Sequence, residues 1–135
     1  MRKSTIAQLL GLVAVLVVAG VATAAKGSSS LSLVVLGSGS AGAAATATPS
    51  QGGQITFDVS TTETDHPSVN VRCYQGGSWV YDGWQSFWPG THDPVFTLSS
   101  LYWTSGAADC TARLLYFDRQ GRERTLASMD FHVAA

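Results

Sequence analysis

The sequence predicts an all-β fold, a two-sheet antiparallel sandwich of about seven strands that follows a signal-peptide helix. Apolar and polar residues alternate with a period of two in several short runs after residue 25, and turn residues separate these runs. No stretch of this region has the apolar spacing of a helix. Cys73 and Cys110 both lie in strand-like runs behind an export signal, where such a pair usually forms a structural disulfide.

Residues 1–24 have the composition of a signal peptide. A short basic start precedes the almost wholly apolar residues 6–21, and Ala22 and Ala24 form the small-x-small pattern that directs cleavage. The pattern predicts cleavage after Ala24 and secretion of the remaining chain. The alternative is an uncleaved anchor over residues 6–25, in which case this segment alone would contact the membrane.

Seven runs predict strands. They are residues 31–36, 54–60, 68–75, 79–87, 95–99, 110–117 and 124–133. Residues 37–50, between the first two strands, are rich in Gly, Ser and Ala, which indicates either a flexible connection or a weak edge segment.

Alternation groups the residues of most strands by face. The residues that share a face are Ile55, Phe57 and Val59; Val69, Val71 and Cys73; Phe96 and Leu98; Cys110, Ala112, Leu114 and Tyr116; and Met129, Phe131 and Val133. Cys73 is therefore predicted to point into the core with its neighbouring valines.

Turn residues mark the connections. Gly76 and Gly77 predict a tight hairpin between the third and fourth strands, because paired glycines supply the positive φ angles of such a turn. Residues 89–94 contain two prolines and a glycine and predict a loop, and residues 118–122 predict the turn of a terminal hairpin.

The fourth strand is the least regular. Asp82 and Gly83 within it indicate a bulge or a second turn. By simple alternation, Trp79 and Tyr81 are expected on the same face.

Without the signal, about 110 residues remain, the size of one small domain. Residues 25–53 are expected to supply the first strand and the connection, and residues 54–135 the core of this domain. A bridge between Cys73 and Cys110 would contribute about 3 to 4 kcal/mol in the chain-entropy model.

The charge balance argues against polyanionic partners. After removal of the signal, six basic residues stand against nine acidic ones. Arg119, Arg122 and Arg124 lie together, but Asp118 and Glu123 alternate with them, which predicts a solvated hairpin tip. The expected partner is a protein or a glycan at the cell envelope or outside the cell, and no nucleic acid.

Seven short strands in about a hundred residues are typical of an immunoglobulin-like sandwich. The runs GGQITFDVSTT at residues 52–62, VNVRCYQ at 69–75 and GAADCTA at 106–112 resemble small secreted bacterial immunoglobulin-like proteins, especially those of actinobacteria and their phages. The resemblance covers nearly the whole mature chain and implies architecture, not activity.

Two features depart from antibody domains. Cys73 lies on what corresponds to strand C, beside strand F, so the disulfide is expected to join neighbouring strands of one sheet. Ala108 lies two residues before Cys110, where antibody domains have the tyrosine of the tyrosine corner.

No catalytic centre, cofactor or metal site is predicted. The loops with Asp65 and His66 and with His92 and Asp93 could meet at one end of the sandwich, but their spacing matches no metal-ligand pattern and these are ordinary turn residues. The chain lacks the G-x-S-x-G turn of a nucleophilic serine, and no pair of carboxylates is set apart for glycoside hydrolysis.

The aromatic residues are the best candidates for a contact surface. They crowd a short stretch and a following loop, in numbers too large for the core of so small a domain, and exposed Trp and Tyr stack on sugars and anchor protein interfaces. Core packing is the alternative for any one ring. The candidate ligand-binding residues are Trp79, Tyr81, Trp84, Trp88, Tyr102 and Trp103. The expected function is a non-enzymatic binding or adhesion module, with a carbohydrate-binding module or a structural accessory domain of a surface or phage assembly as alternatives.

Overall fold

The computed structural model describes residues 28–37 and 47–135. The predicted signal peptide over residues 1–24 and most of the predicted connection over residues 37–50 lie outside the described residues. Every regular element of the described part is a strand, and the strands form two antiparallel sheets, which confirms the all-β sandwich. Among these residues, no helix has the length and apolar character needed to cross a membrane.

The seven strands agree with the predicted ones to within two residues at each end. They are β1 (Ser29–Leu36), β2 (Gln54–Thr61), β3 (Ser68–Gln75), β4 (Ser78–Ser86), β5 (Phe96–Thr97), β6 (Ala108–Phe117) and β7 (Glu123–Val133). The largest relative difference in length is at β5, which has two residues where the sequence predicts a strand over residues 95–99. The predicted hairpin glycines, Gly76 and Gly77, form the two-residue turn between β3 and β4 with φ angles of 54° and 83°.

One sheet has the order β1-β2-β5 and the other the order β4-β3-β6-β7. The chain crosses between the sheets after β2, after β4 and after β5. Residues 49–51 attach to the end of β7, because the Ala134 N–H donates to the Pro49 carbonyl and the Gln51 N–H to the Ala134 carbonyl, each at 2.8 Å. The end of the predicted connection thus behaves as a short edge segment.

The apolar faces of both sheets meet in one interior. Its largest fully buried side chains include Phe57, Phe96, Trp103, Leu98 and Leu114. Phe57 contacts Phe96 edge-to-face with ring centroids 5.7 Å apart, which joins β2 to β5 within this interior. The inward face predicted for β3 is buried. Ile55 and Phe57 on β2 are buried and Val59 is half-buried, and Phe96 and Leu98 are also buried.

The disulfide joins two central strands of the larger sheet. Cys73 on β3 and Cys110 on β6 are directly opposite each other, with Cα atoms 4.0 Å apart, and both are buried. The bridge therefore lies within one sheet, as the sequence predicts.

The irregularity of β4 differs from the prediction. Tyr81 lies opposite Cys73, whereas Trp79 lies opposite Tyr74, so Val80 is an extra residue on β4. This bulge reverses the alternation, and Trp79 and Tyr81 lie on opposite faces of the sheet. The expectation that they share a face is wrong.

Gly83 is neither a bulge nor a turn but pairs regularly with Val71 on β3. It lies on the inward face, where a Cβ atom would be 2.6 Å from the Tyr81 hydroxyl and 2.9 Å from the Phe96 ring. Glycine is needed at this position because the neighbouring rings occupy the space of a side chain.

Candidate functional site

The structure places the predicted aromatic residues in three different locations. Trp79, Trp84 and Tyr102 are exposed on the outer face of the four-stranded sheet or beside it. Trp88 is exposed in the loop between β4 and β5, and Tyr81 and Trp103 contribute to the interior. The fold thus brings three of the six predicted aromatic residues to the outer face of the four-stranded sheet.

Trp103 is 1% exposed and does not contribute to a contact surface. Its indole N–H donates to the Gly106 carbonyl at 2.9 Å, and its ring meets Tyr81 edge-to-face at 6.2 Å. Burial, and to a smaller extent the Asp82 carboxylate, raises the pKa of the Tyr81 phenol. Both residues are held in the core by the bulge of β4 and by the loop that follows β5.

Ser100 fixes the loop that carries Tyr102. Its hydroxyl donates to the Val80 carbonyl at 2.5 Å and accepts the backbone N–H groups of Tyr102 and Trp103, each at 3.1 Å. This arrangement buries Trp103 and leaves Tyr102 outside, against the edge of β4.

We define the aromatic face as the outer face of the four-stranded sheet with its five exposed rings: Tyr74, Trp79, Trp84, Tyr102 and Phe117. At one end, Trp79 is 49% exposed and Tyr102 is 73% exposed, with ring centroids 6.1 Å apart. Tyr74, opposite Trp79 in the ladder, extends this cluster onto β3.

A second pair of rings lies farther along the same face. Trp84 stacks on Phe117 with centroids 6.5 Å apart, and both rings are exposed. Trp84 is opposite Asn70, four positions along β3 from Tyr74, so the two ring clusters are about 13 Å apart at the rise of a strand.

Polar side chains connect the two clusters across the sheet. The Asn70 amide donates to Asp82 at 2.5 Å and accepts from the Arg113 guanidinium at 3.1 Å. Arg113 also pairs with Glu123 on β7, and Arg72 lies 3.5 Å from the Asp82 carboxylate. Although Asn70 lies on the outer face, it is fully buried beneath these partners.

A shallow pocket of about 320 Å³ lies between the first ring cluster and this polar row. Arg72, Tyr74, Trp79 and Asp82 line it. A guanidinium, a carboxylate and two aromatic rings therefore border one depression, which offers hydrogen-bond donors, acceptors and a stacking surface together.

Trp88 lies outside the aromatic face. It is 46% exposed, and its ring contacts His66 edge-to-face at 5.1 Å. The loops with His66 and with His92 are those considered for metal binding, and in the described part of the chain no three His, Cys, Asp or Glu side chains gather as a metal site.

Comparison with protein-family models, with curated proteins and with solved structures finds no match to this chain.

The sequence prediction did not include Tyr74, Phe117, Arg72 or Asp82 among the candidate site residues. Alternation on β3 does place Arg72 and Tyr74 opposite Cys73, so an outward-facing signal was present for these two. Phe117 could not be assigned to this surface from the sequence, because it stacks on Trp84, and the strand of Trp84 is not a neighbour of its own strand in the sheet.

Proposed function

We propose that this chain is an exported, non-enzymatic binding or adhesion module with an immunoglobulin-like sandwich, and that the aromatic face is its contact surface. The observation that carries the proposal is the exposure of paired aromatic rings on the outer face of a sheet whose other face already packs a complete core.

The strand order supports the immunoglobulin-like part of the proposal. The second, third and sixth strands are distributed between the sheets as strands B, C and F are in such domains, and β7 follows β6 as strand G follows F. The fourth strand pairs with β3 instead of joining β1 and β2, which distinguishes the chain from the constant-type arrangement.

The chemistry of the face supports binding. Exposed Trp and Tyr rings supply large contact area with little loss of side-chain entropy, and interfaces are enriched in them. Within the row of polar residues between the ring clusters, Asn70 is already hydrogen-bonded to Asp82 and Arg113, so this part of the face is held in one arrangement before a partner arrives.

A carbohydrate-binding module is the second candidate, and the pocket beside Trp79 favours it. A sugar ring can stack on Trp79, while Asp82 accepts and Arg72 donates hydrogen bonds to its hydroxyl groups. The partner would then be a glycan of the cell envelope or of the surroundings.

Substitution of Trp79 or Trp84 tests the contact surface. We expect Trp79→Ala and Trp84→Ala to bind immobilised cell-envelope extract and arrayed glycans at least tenfold more weakly than the wild type, because truncation of a hot-spot aromatic residue costs about 2 kcal/mol or more and a factor of ten is about 1.4 kcal/mol. Leu36→Ala is the control, since this apolar side chain is exposed on β1 of the smaller sheet. Urea unfolding of all three variants checks that the fold is retained.

The results separate the two candidates. If glycans do not bind but envelope proteins do, and the Trp79 and Trp84 variants lose that binding, the carbohydrate proposal fails and the adhesion proposal stands. If the Trp79 and Trp84 variants bind as tightly as the wild type, the aromatic face is not the contact surface.

A further inference from the structure

The smaller sheet has an open edge where β5 ends. β5 pairs only with Gln54 and Ile55 of β2, so β2 continues from Thr56 to Thr61 without a strand on that side. The register would place Pro94 opposite Phe57, and proline has no N–H to donate. This is the physical reason that β5 is short.

The hydrogen-bond pattern identifies the unpaired groups. The Leu98 N–H donates to the Gly53 carbonyl, whereas the Thr62 N–H donates to the Ser28 carbonyl on the β1 side. Because the direction alternates along a strand, the N–H and C=O groups of Phe57, Val59 and Thr61 point away from β1. Phe57 is only 1% exposed, whereas Val59 and Thr61 are half-buried, so these last two residues form the open edge. Within the described residues, no backbone hydrogen bond reaches them from that side.

A groove of about 530 Å³ runs beside this edge. It lies between residues 57–61 of β2 and the loop of residues 87–95, and Trp88 lines its far side. The Trp88 carbonyl accepts from the backbone N–H and the hydroxyl of Thr91, at 3.3 and 2.6 Å, across the Pro89-Gly90 turn. The wall that carries Trp88 is therefore fixed by its own turn.

The negative charge of the groove favours a positively charged occupant. Asp58 and Asp93 line it, and neither lysine nor arginine does. The other lining side chains that can hydrogen-bond are hydroxyls, such as those of Ser60 and Thr64. A positively charged segment would have its charges opposite the carboxylates and could place one of them on the Trp88 ring.

We propose that this groove binds an extended, lysine- or arginine-bearing segment of a partner protein, which pairs with Val59 and Thr61 as an added strand. Addition of a strand to an open sheet edge supplies main-chain hydrogen bonds, and the side chains of the added strand supply specificity. The site is separate from the aromatic face and does not depend on the function proposed for it.

The test uses the purified protein and the blocked peptide acetyl-TKTKTK-amide, followed by amide NMR. We expect the amide protons of Val59 and Thr61 to exchange at least tenfold more slowly at saturation, and the shift changes to centre on β2 and the loop of residues 87–95. Acetyl-TETETE-amide, and the lysine peptide with methylated backbone nitrogens, should each bind at least tenfold more weakly.

Variants of the protein complete the test. The double substitution Asp58→Asn and Asp93→Asn should weaken the lysine peptide about tenfold, and Trp88→Ala should also weaken it. Asp109→Asn with Asp130→Asn is the matched control, because it removes the same charge from the other sheet. Equal affinity for the glutamate peptide, unchanged exchange at Val59 and Thr61, or self-association of the protein at this edge in place of peptide binding would overturn the proposal.

Discussion

Single side chains determine which groups the aromatic face presents. Asn70 is polar and fully buried, yet its amide has partners on three sides, in Asp82, the Gly83 carbonyl and Arg113. A buried amide with satisfied hydrogen bonds is tolerated, whereas one without partners would destabilise the fold. Asn70 thereby links β4 to β6 beneath the exposed rings.

Gly83 provides a residue-scale test of the interior. We expect Gly83→Ala to lower the free energy of unfolding by about 1 to 3 kcal/mol, because the new methyl group would displace Tyr81 and Phe96 from a filled space. Urea unfolding measures the change. Gly37→Ala is the control, since nothing lies within 4 Å of the Cβ position there, and it should have little effect. Equal stability of the two variants would show that the rings can move aside.

At the scale of elements, the bulge in β4 sets the direction of two aromatic side chains, and the turn between β6 and β7 gathers its charged side chains around one residue. The bulge at Val80 turns Trp79 outward and Tyr81 inward. In the β6–β7 hairpin, Asp118 accepts backbone N–H groups from Gln120 and Arg122, and the guanidinium groups of Arg122 and Arg124. The predicted solvated tip is therefore organised around one carboxylate.

The hairpin makes stability depend on pH. The Arg122 backbone N–H, with the guanidinium groups of Arg124 and Arg122, lowers the pKa of Asp118. Its contribution to stability is thus present above the ordinary aspartate pKa and is lost as the pH falls through the lowered value. We expect Asp118→Asn to be less stable than the wild type at pH 7, and the difference to disappear in strong acid.

Urea midpoints measured from pH 7 to pH 2 check this expectation. Asp93→Asn serves as the control, because among the described residues the Asp93 carboxylate accepts no hydrogen bond from another side chain or backbone group. A difference between Asp118→Asn and the wild type that stays constant over this range would contradict the assigned role.

At the scale of the whole molecule, the disulfide and the two-sheet interior act together. The bridge joins β3 to β6, the two central strands of the larger sheet, across 37 positions of sequence. A domain of this size buries a limited core, so a covalent link makes a large relative contribution to its stability.

Removal of both cysteines tests that contribution. We expect Cys73→Ala with Cys110→Ala to lower the free energy of unfolding by about 3 to 4 kcal/mol, because the unfolded chain regains the freedom that the closed loop removes. Thermal and urea unfolding measure the loss, and the wild type unfolded in the presence of a thiol reductant is the control. Two free thiols in the intact protein by mass spectrometry would contradict the bridge.

The sequence by itself determined the strands, the residues that share a face on most of them, the Gly76-Gly77 turn and the disulfide, because alternation and turn chemistry are local properties. It did not determine which aromatic rings lie outside. The exposure of Trp79 depends on a bulge defined by pairing with β3, the burial of Trp103 depends on Ser100 and Gly106, and the pairing of Trp84 with Phe117 depends on two strands brought together by the fold. The open edge of β2 likewise follows from the register that places Pro94 opposite Phe57. Pairing partners and register are long-range properties, and only the tertiary structure fixes them.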